Sequence, residues 1–237
     1  MQKSIIAFGK AKGGVGNTTT AINLAYLRAK EKGSDNVILI DADSSTETAT
    51  IWTGFRSNDS SLTPLLTMKK SGDKDFVQAI KMLSEKYPDI IIDIGGGNTT
   101  ELLAAMVVAQ KLFVPVRPSF IDTFAFYALD QKVGQAQASL NPHLQAFIYP
   151  CVVSPNALMA ADDLQEIINL GSELQNMNLT QNYLYDRKAY RRSPKFNGKT
   201  IFELSGEIDP VTKKVLEKKD PTAEQEMIKF YEEVYGE

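Results

Sequence analysis

Residues 11–20 read AKGGVGNTTT. Gly13, Gly14 and Gly16 allow successive backbone N–H groups to turn inward and form an anion-binding nest. The stretch follows an apolar run, Ser4-Ile5-Ile6-Ala7-Phe8. It opens residues 18–32, whose apolar positions recur at helical spacing and stop at Gly33. A glycine loop between a strand and a helix N-terminus is the arrangement that holds a phosphate. Thr18 supplies the hydroxyl that such a loop directs at Mg²⁺. Asn17 stands where the loop ordinarily carries lysine.

Outward from this loop the chain alternates. Val37-Ile38-Leu39-Ile40 ends in Asp41-Ala42-Asp43, and Ile90-Ile91-Ile92-Asp93-Ile94 ends in Gly95-Gly96-Gly97. Leu112 to Val116 and Ala146 to Val153 read as further strands. Helices are expected over 74–86, 99–109, 120–139, 157–169 and 222–235, with residues 56–64 (RSNDSSLTP) as a loop. Continuous apolar strands alternating with helices predict an α/β fold, a doubly wound, mostly parallel sheet covered on both faces. The even spacing predicts one domain over residues 1–237, with a more charged helical part from about 180 to 237.

Parallel sheets bind ligands at the carboxyl ends of their strands. Asp41, Asp43 and Asp93 fall at such ends. Each alone reads as a helix cap or turn residue. Together with the loop they read as a set that places Mg²⁺ and a water.

The bulk composition narrows the function classes. Hydrophobic residues make up 43% of the chain, enough for a full core, and the net charge is −3. No global positive field draws the protein to nucleic acid or acidic lipid, so such binding needs a local patch. The single cysteine, Cys151, and single histidine, His143, form neither a disulfide nor a zinc constellation. Cys151 reads as a small buried apolar residue, His143 as an exposed one in a helix-end loop, and Trp52 as a packing residue. No secretory signal and no membrane-spanning run is read, and the expected setting is cytoplasmic.

These motifs resemble those of the ParA/MinD-type ATPases, the deviant Walker branch of the P-loop NTPases, whose loop reads K-G-G-x-G-K-[ST]-[ST]. Lys12-Gly13-Gly14-Val15-Gly16 and Thr18-Thr19 match it. Asp41-Ala42-Asp43 resembles the family's D-x-D, and Ile91 to Gly96 its Walker B and switch II. Val114 to Ser119 resembles the strand that follows. Arg187-Lys188-Ala189-Tyr190, Gly198 and Glu203-Leu204 resemble the R-x-x-Y…G…E-L pattern of the ParA partition branch. The likeness covers roughly residues 1–205.

The resemblance implies an ATPase using ATP/ADP and Mg²⁺. Gly13, Gly14, Val15, Gly16, Asn17, Thr18 and Thr19 would cradle the phosphates, with Thr19 on the α-phosphate. Thr18, Asp41 and Asp93 would hold the metal and its water shell. Asp43 would position the attacking water. Lys12 would reach across an ATP-bound homodimer to the partner's phosphates. The loop around Pro155-Asn156 is a candidate for adenine contacts.

Two departures matter. Asn17 donates hydrogen bonds but does not offset developing charge, and charge stabilisation of this kind is worth about 3 kcal/mol or more. Binding is expected to survive and fast turnover to be harder. Three explanations stay open: a naturally slow branch, an engineered trap for the ATP state, or compensation by another lysine, Lys10 or Lys12. Ser44-Ser45 replaces the proline and glutamine that usually follow D-x-D in the ParA branch.

Family resemblance further implies a nucleoid-associated protein that binds DNA non-specifically in its ATP state and segregates plasmid or chromosome cargo with a centromere-binding, ParB-like partner. The basic stretch at 186–199, with Arg187, Lys188, Arg191, Arg192 and Lys195 interleaved with Tyr190 and Phe196, is the visible footprint for DNA. A second basic run is Lys213, Lys214, Lys218 and Lys219. Both also read as solvated or salt-bridged faces. The alternatives are a non-hydrolysing positioning scaffold and a MinD-like membrane-cycling ATPase. No membrane partner is expected, because the terminal AEQEMIKFYEEVYGE has an acidic polar face that anionic lipid repels.

Overall fold

The computed structural model describes residues 3–10, 14–70, 75–96, 100–118, 121–195, 197–206 and 218–236. Strands β1 (Ser4–Lys10), β2 (Val37–Ala42), β3 (Leu66–Lys69), β4 (Asp89–Gly96), β5 (Lys111–Val116), β6 (Gln145–Val153) and β7 (Asn178–Leu179) lie in the order β3-β2-β4-β1-β5-β6-β7. The short β8 (Leu184–Tyr185) also pairs β6, and every pairing is parallel. The predicted doubly wound parallel sheet is therefore the observed one.

Side chains alternate across the strands, so each face has its own core. Ala7, Ile38, Ile40, Ile90, Ile92 and Ile94 pack on one face against α3 (Phe76–Lys86), α4 (Thr100–Val108), α5 (Thr123–Ser139) and α6 (Ala157–Glu173). Ile6, Phe8, Leu39 and Ile91 pack on the other against α1 (Asn17–Lys32), α2 (Thr48–Arg56) and α8 (Pro221–Tyr235). The same alternation puts Asp41 and Asp93, which are register partners on β2 and β4, on the α1 face.

Helix α2 and strand β3 are among the elements that escaped the sequence reading. Helix α2 is built from TATIWTGFR, whose β-branched residues and glycine have poor helix propensity. It forms because Ala49, Trp52, Thr53 and Arg56 recur at helical spacing and are buried. Strand β3 is a largely exposed edge and lacks the apolar run that marks the central strands. Helix α8 turns its apolar stripe, Ala223, Met227, Phe230, Tyr231 and Val234, into the core. That stripe is taken up by packing. Among the described residues no helix is long and apolar enough to cross a membrane.

Candidate nucleotide site

The N-terminus of α1 is open. Its N-cap, Gly16, sits at φ 86°, with no side-chain cap and no acidic residue in the first turn. Gly14 likewise takes positive φ, at 76°. A non-glycine residue in this left-handed region is strained. The nest and the helix N-terminus therefore present unfilled N–H donors and a positive dipole end to whatever lies in front of them. What lies in front is a cavity of about 490 Å³ lined by Lys10, Gly14–Thr19, Asp43, Ser45, Thr46, Thr48 and Gly96.

Asp43 is almost fully buried and accepts four hydrogen bonds. Ser45 N, Ser45 Oγ and Thr46 N reach Oδ1 at 3.0, 2.6 and 3.2 Å, and Lys10 Nζ reaches Oδ2 at 3.1 Å. Burial alone would raise this carboxyl, but the bonds from Ser45 and Lys10 outweigh it and hold it well below the usual carboxylate range. Ser45, a departure from the resembled pattern, is thus one of the groups that fix Asp43.

Asp41 and Asp93 lie behind the cavity wall. Asp41 accepts from Asp43 N at 3.2 Å and Thr50 N at 2.8 Å, capping the first turn of α2. Asp93 accepts from Asn17 Nδ2 at 2.8 Å. Burial pushes its carboxyl up to about 7, the nearby Asp41 adding to that, against the lowering effect of Thr18, Lys10 and Asn17. Among the described residues no three His, Cys, Asp or Glu side chains cluster to hold a metal by themselves. A cation here would need phosphate oxygens besides Thr18, which is how phosphate loops hold Mg²⁺.

Asn17, expected to lend its amide to a phosphate, is 2% exposed and turned the other way. Its Nδ2 donates to Phe8 O at 2.9 Å, Asp93 Oδ1 at 2.8 Å and Ile94 O at 3.3 Å, stitching α1 to β1 and β4. Only its backbone remains available to the cavity. Lys12 and Gly13 lie outside the described residues.

A second cavity, of about 530 Å³ and mostly apolar, shares Gly14, Gly16, Thr19 and Thr48 with the first. Trp52, Cys151, Val152, Leu184, Tyr185 and Tyr190 form part of its wall. Val152 is a bulge: the β6–β8 register slips between Cys151 and Val153, and Val152 takes φ 59°, rare for a β-branched residue. Pro155 and Asn156 line neither cavity, and Asn156 instead caps α6 through Leu158 N. Sequence reasoning missed this wall, because β8 and the bulge are short and carry no periodic signal.

The basic stretch divides. Arg187 pairs with Glu226 of α8 at 2.5 Å and Arg191 with Asp186, while Lys188, Arg192 and Lys195 are exposed. Phe196, Lys213 and Lys214 lie outside the described residues. Helix α7 (Lys188–Arg192) is shared, with Tyr190 and Arg191 walling the second cavity and Lys188 and Arg192 facing out.

Residues 3–72 match a protein-family model described as an AAA domain. A comparison with curated protein sequences finds no match. Among solved structures, apo McdA from Cyanothece superposes with a TM-score of 0.71 at 17% identity, covering 99% of each chain. The fold is that of the ParA/MinD-type P-loop ATPases. MinD from Aquifex aeolicus gives a TM-score of 0.68 at 16% identity, covering 99% of this chain and 98% of that one. A plasmid partition protein from Borrelia burgdorferi gives 0.54 at 20% identity, covering 85% and 98%. Position 17, where the resembled loop carries lysine, is here an asparagine whose amide serves the core.

Proposed function

We propose that the chain is a ParA-type ATPase that binds Mg-ATP, dimerises around it and holds DNA in that state. One observation carries the nucleotide reading: the uncapped α1 N-terminus and the Gly14/Gly16 nest open on the same cavity as Asp43 and Lys10. Backbone N–H groups from Gly14 to Thr19 bind the phosphates, and the Thr18 hydroxyl turns to the metal. Bound Mg²⁺ supplies charge neutralisation at the phosphate oxygens. Asp43 Oδ2 orients the attacking water. The apolar cavity around Trp52, Val152 and Tyr190 takes the adenine base. A McdA structure from Cyanothece is an ATP complex, which supports this choice of ligand.

DNA retention is the finer part of the proposal. It draws on Lys188, Arg192 and Lys195, with phosphate contacts that salt weakens. Their position on and beside α7, which also walls the base cavity, gives nucleotide a route to the DNA-facing residues. The homodimer, with Lys12 reaching across it, and a ParB-like partner complete the partition reading.

A positioning scaffold is the second reading. It is favoured by Arg187 and Arg191, whose guanidinium groups are already held in ion pairs.

The test is fluorescent ATP binding with Mg²⁺, followed by DNA co-sedimentation with ATP, with ADP and without nucleotide at rising salt. Partition requires ATP-dependent, salt-sensitive retention that falls on changing Lys188, Arg192 and Lys195 to glutamine. Nucleotide binding without DNA retention leaves the scaffold. No nucleotide binding overturns both.

A further inference from the structure

We propose that Lys10 is the phosphate cation of this loop, parked on Asp43 until a nucleotide arrives. The inference rests on the nucleotide reading above and deepens it. Three observations lead there. Asn17 has committed its amide donors inward and carries no charge. Lys10 is the only cation among the described residues that line the 490 Å³ phosphate cavity. Its Nζ already lies inside that cavity, 3.1 Å from Asp43, with the side chain 11% exposed.

The strand geometry explains how Lys10 comes to be there. Phe8 pairs with Asp93 but Lys10 pairs with Gly96, so the ladder slips at the end of β1. Such an irregularity re-aims the side chain beyond it. Lys10 thus lines the same cavity as the glycine nest, on a flexible four-carbon stem.

The hydrogen-bond pattern makes the movement inexpensive. Ser45 and Thr46 hold Asp43 Oδ1, and Lys10 alone among the described contacts holds Oδ2. When Nζ swings to the β- and γ-phosphate oxygens, Asp43 keeps three donors and its orientation. The same swing uncovers Oδ2, the oxygen free to accept from a water. One lysine thereby places charge on the phosphates and releases the water-orienting carboxylate in a single step. In the reaction that follows, the water oxygen bonds Pγ, the bridging O–Pγ bond breaks, ADP leaves, and the water's proton passes to the released phosphate.

The experiment measures binding of Mg-β,γ-imido-ATP and of Mg-ADP, together with ATP turnover. It compares the intact chain with Lys10→Met, Lys10→Gln, Lys12→Met, Asn17→Lys and the double variant Lys10→Met/Asn17→Lys. Each variant is checked by its thermal melt. Loss of a charged hydrogen bond to phosphate predicts about tenfold or greater weakening for the imido analogue in both Lys10 variants. Asn17→Lys in the Lys10→Met background restores it, because the charge returns to the same phosphates from the loop side. A folded Lys10→Met chain that binds the analogue and hydrolyses ATP as the intact chain does overturns the proposal. So does a weakening produced by Lys12→Met and not by Lys10→Met. A loss that Asn17→Lys does not restore, in a folded double variant that still binds ADP, overturns it as well. An intact chain that binds neither nucleotide sinks the nucleotide reading itself, a result distinct from the other three.

Discussion

Asn17 Nδ2 sits 2.8 Å from Asp93 Oδ1, joining the first turn of α1 to the carboxyl end of β4. The amide also satisfies Phe8 O, while its own Oδ1 is buried without a partner among the described residues. Position 17 thus works as a structural clamp beneath the glycine loop. Asn17→Ala removes the donors and leaves buried acceptors exposed to no water, which costs about 1–3 kcal/mol for such groups. Loss of the orphaned Oδ1 offsets part of this, so urea unfolding should show a fall of about 1–2 kcal/mol. Asn17→Asp, which sets a second carboxylate against Asp93, should cost more and recover at low pH.

Arg56 is the second clamp. Its guanidinium forms two bonds to Glu203, at 2.6 and 2.8 Å, and reaches Gly198 O at 2.9 Å and Thr63 O at 2.6 Å. Trp52 Nε1 donates to the same Gly198 O at 2.7 Å. The Gly198 and Glu203 positions of the resembled C-terminal pattern therefore tie that segment to α2. Arg56→Met leaves Glu203 buried without its cation and should cost about 3–5 kcal/mol in chemical denaturation. Adding Glu203→Gln should return part of it. Gly198→Ala should be at least as damaging as a typical core change, because a Cβ there would lie 2.5 Å from Trp52 O.

Acid stability should depend on Glu31. Burial works to raise its carboxyl, but bonds from Lys32 and Tyr231 and the charge of Arg28 bring it down to about 2. A depressed folded-state value means that its stabilisation is fully present above the unfolded value near 4.5 and is lost as pH falls toward 2. Glu31→Gln should flatten the unfolding curve across that window and leave its shape near neutrality unchanged. A variant that keeps the intact chain's acid limb counts against this assignment.

Cys151 lies under the glycine nest, with Sγ 3.0 Å from where a Cβ on Gly16 would be. Burial pushes its thiol up to about 12, so it carries almost no thiolate at pH 8. An aromatic disulfide reagent should leave it untouched in the folded protein and titrate one thiol only in denaturant. Fast reaction under native conditions would show that the loop opens.

The sequence by itself determined the sheet and the loop. Continuous apolar strands alternating with helices of period 3.6 leave few other ways to bury both faces, and three glycines before a helix start have few other uses. It also placed Asp41, Asp43 and Asp93 at strand ends, since that follows from chain order. Tertiary structure alone decided what those residues do. Asp41 caps α2, Asp93 holds Asn17, and only Asp43 opens on the cavity, because side-chain partners come from segments far apart in the chain. Helix α2 was invisible for the same reason: its propensity is poor, and its anchor, Gly198, lies 146 residues from Trp52. The role of position 17 is the sharpest case. The sequence registers a missing charge there, whereas the fold shows an amide drawn into the core by three buried acceptors and a lysine at the end of β1 lining the same cavity.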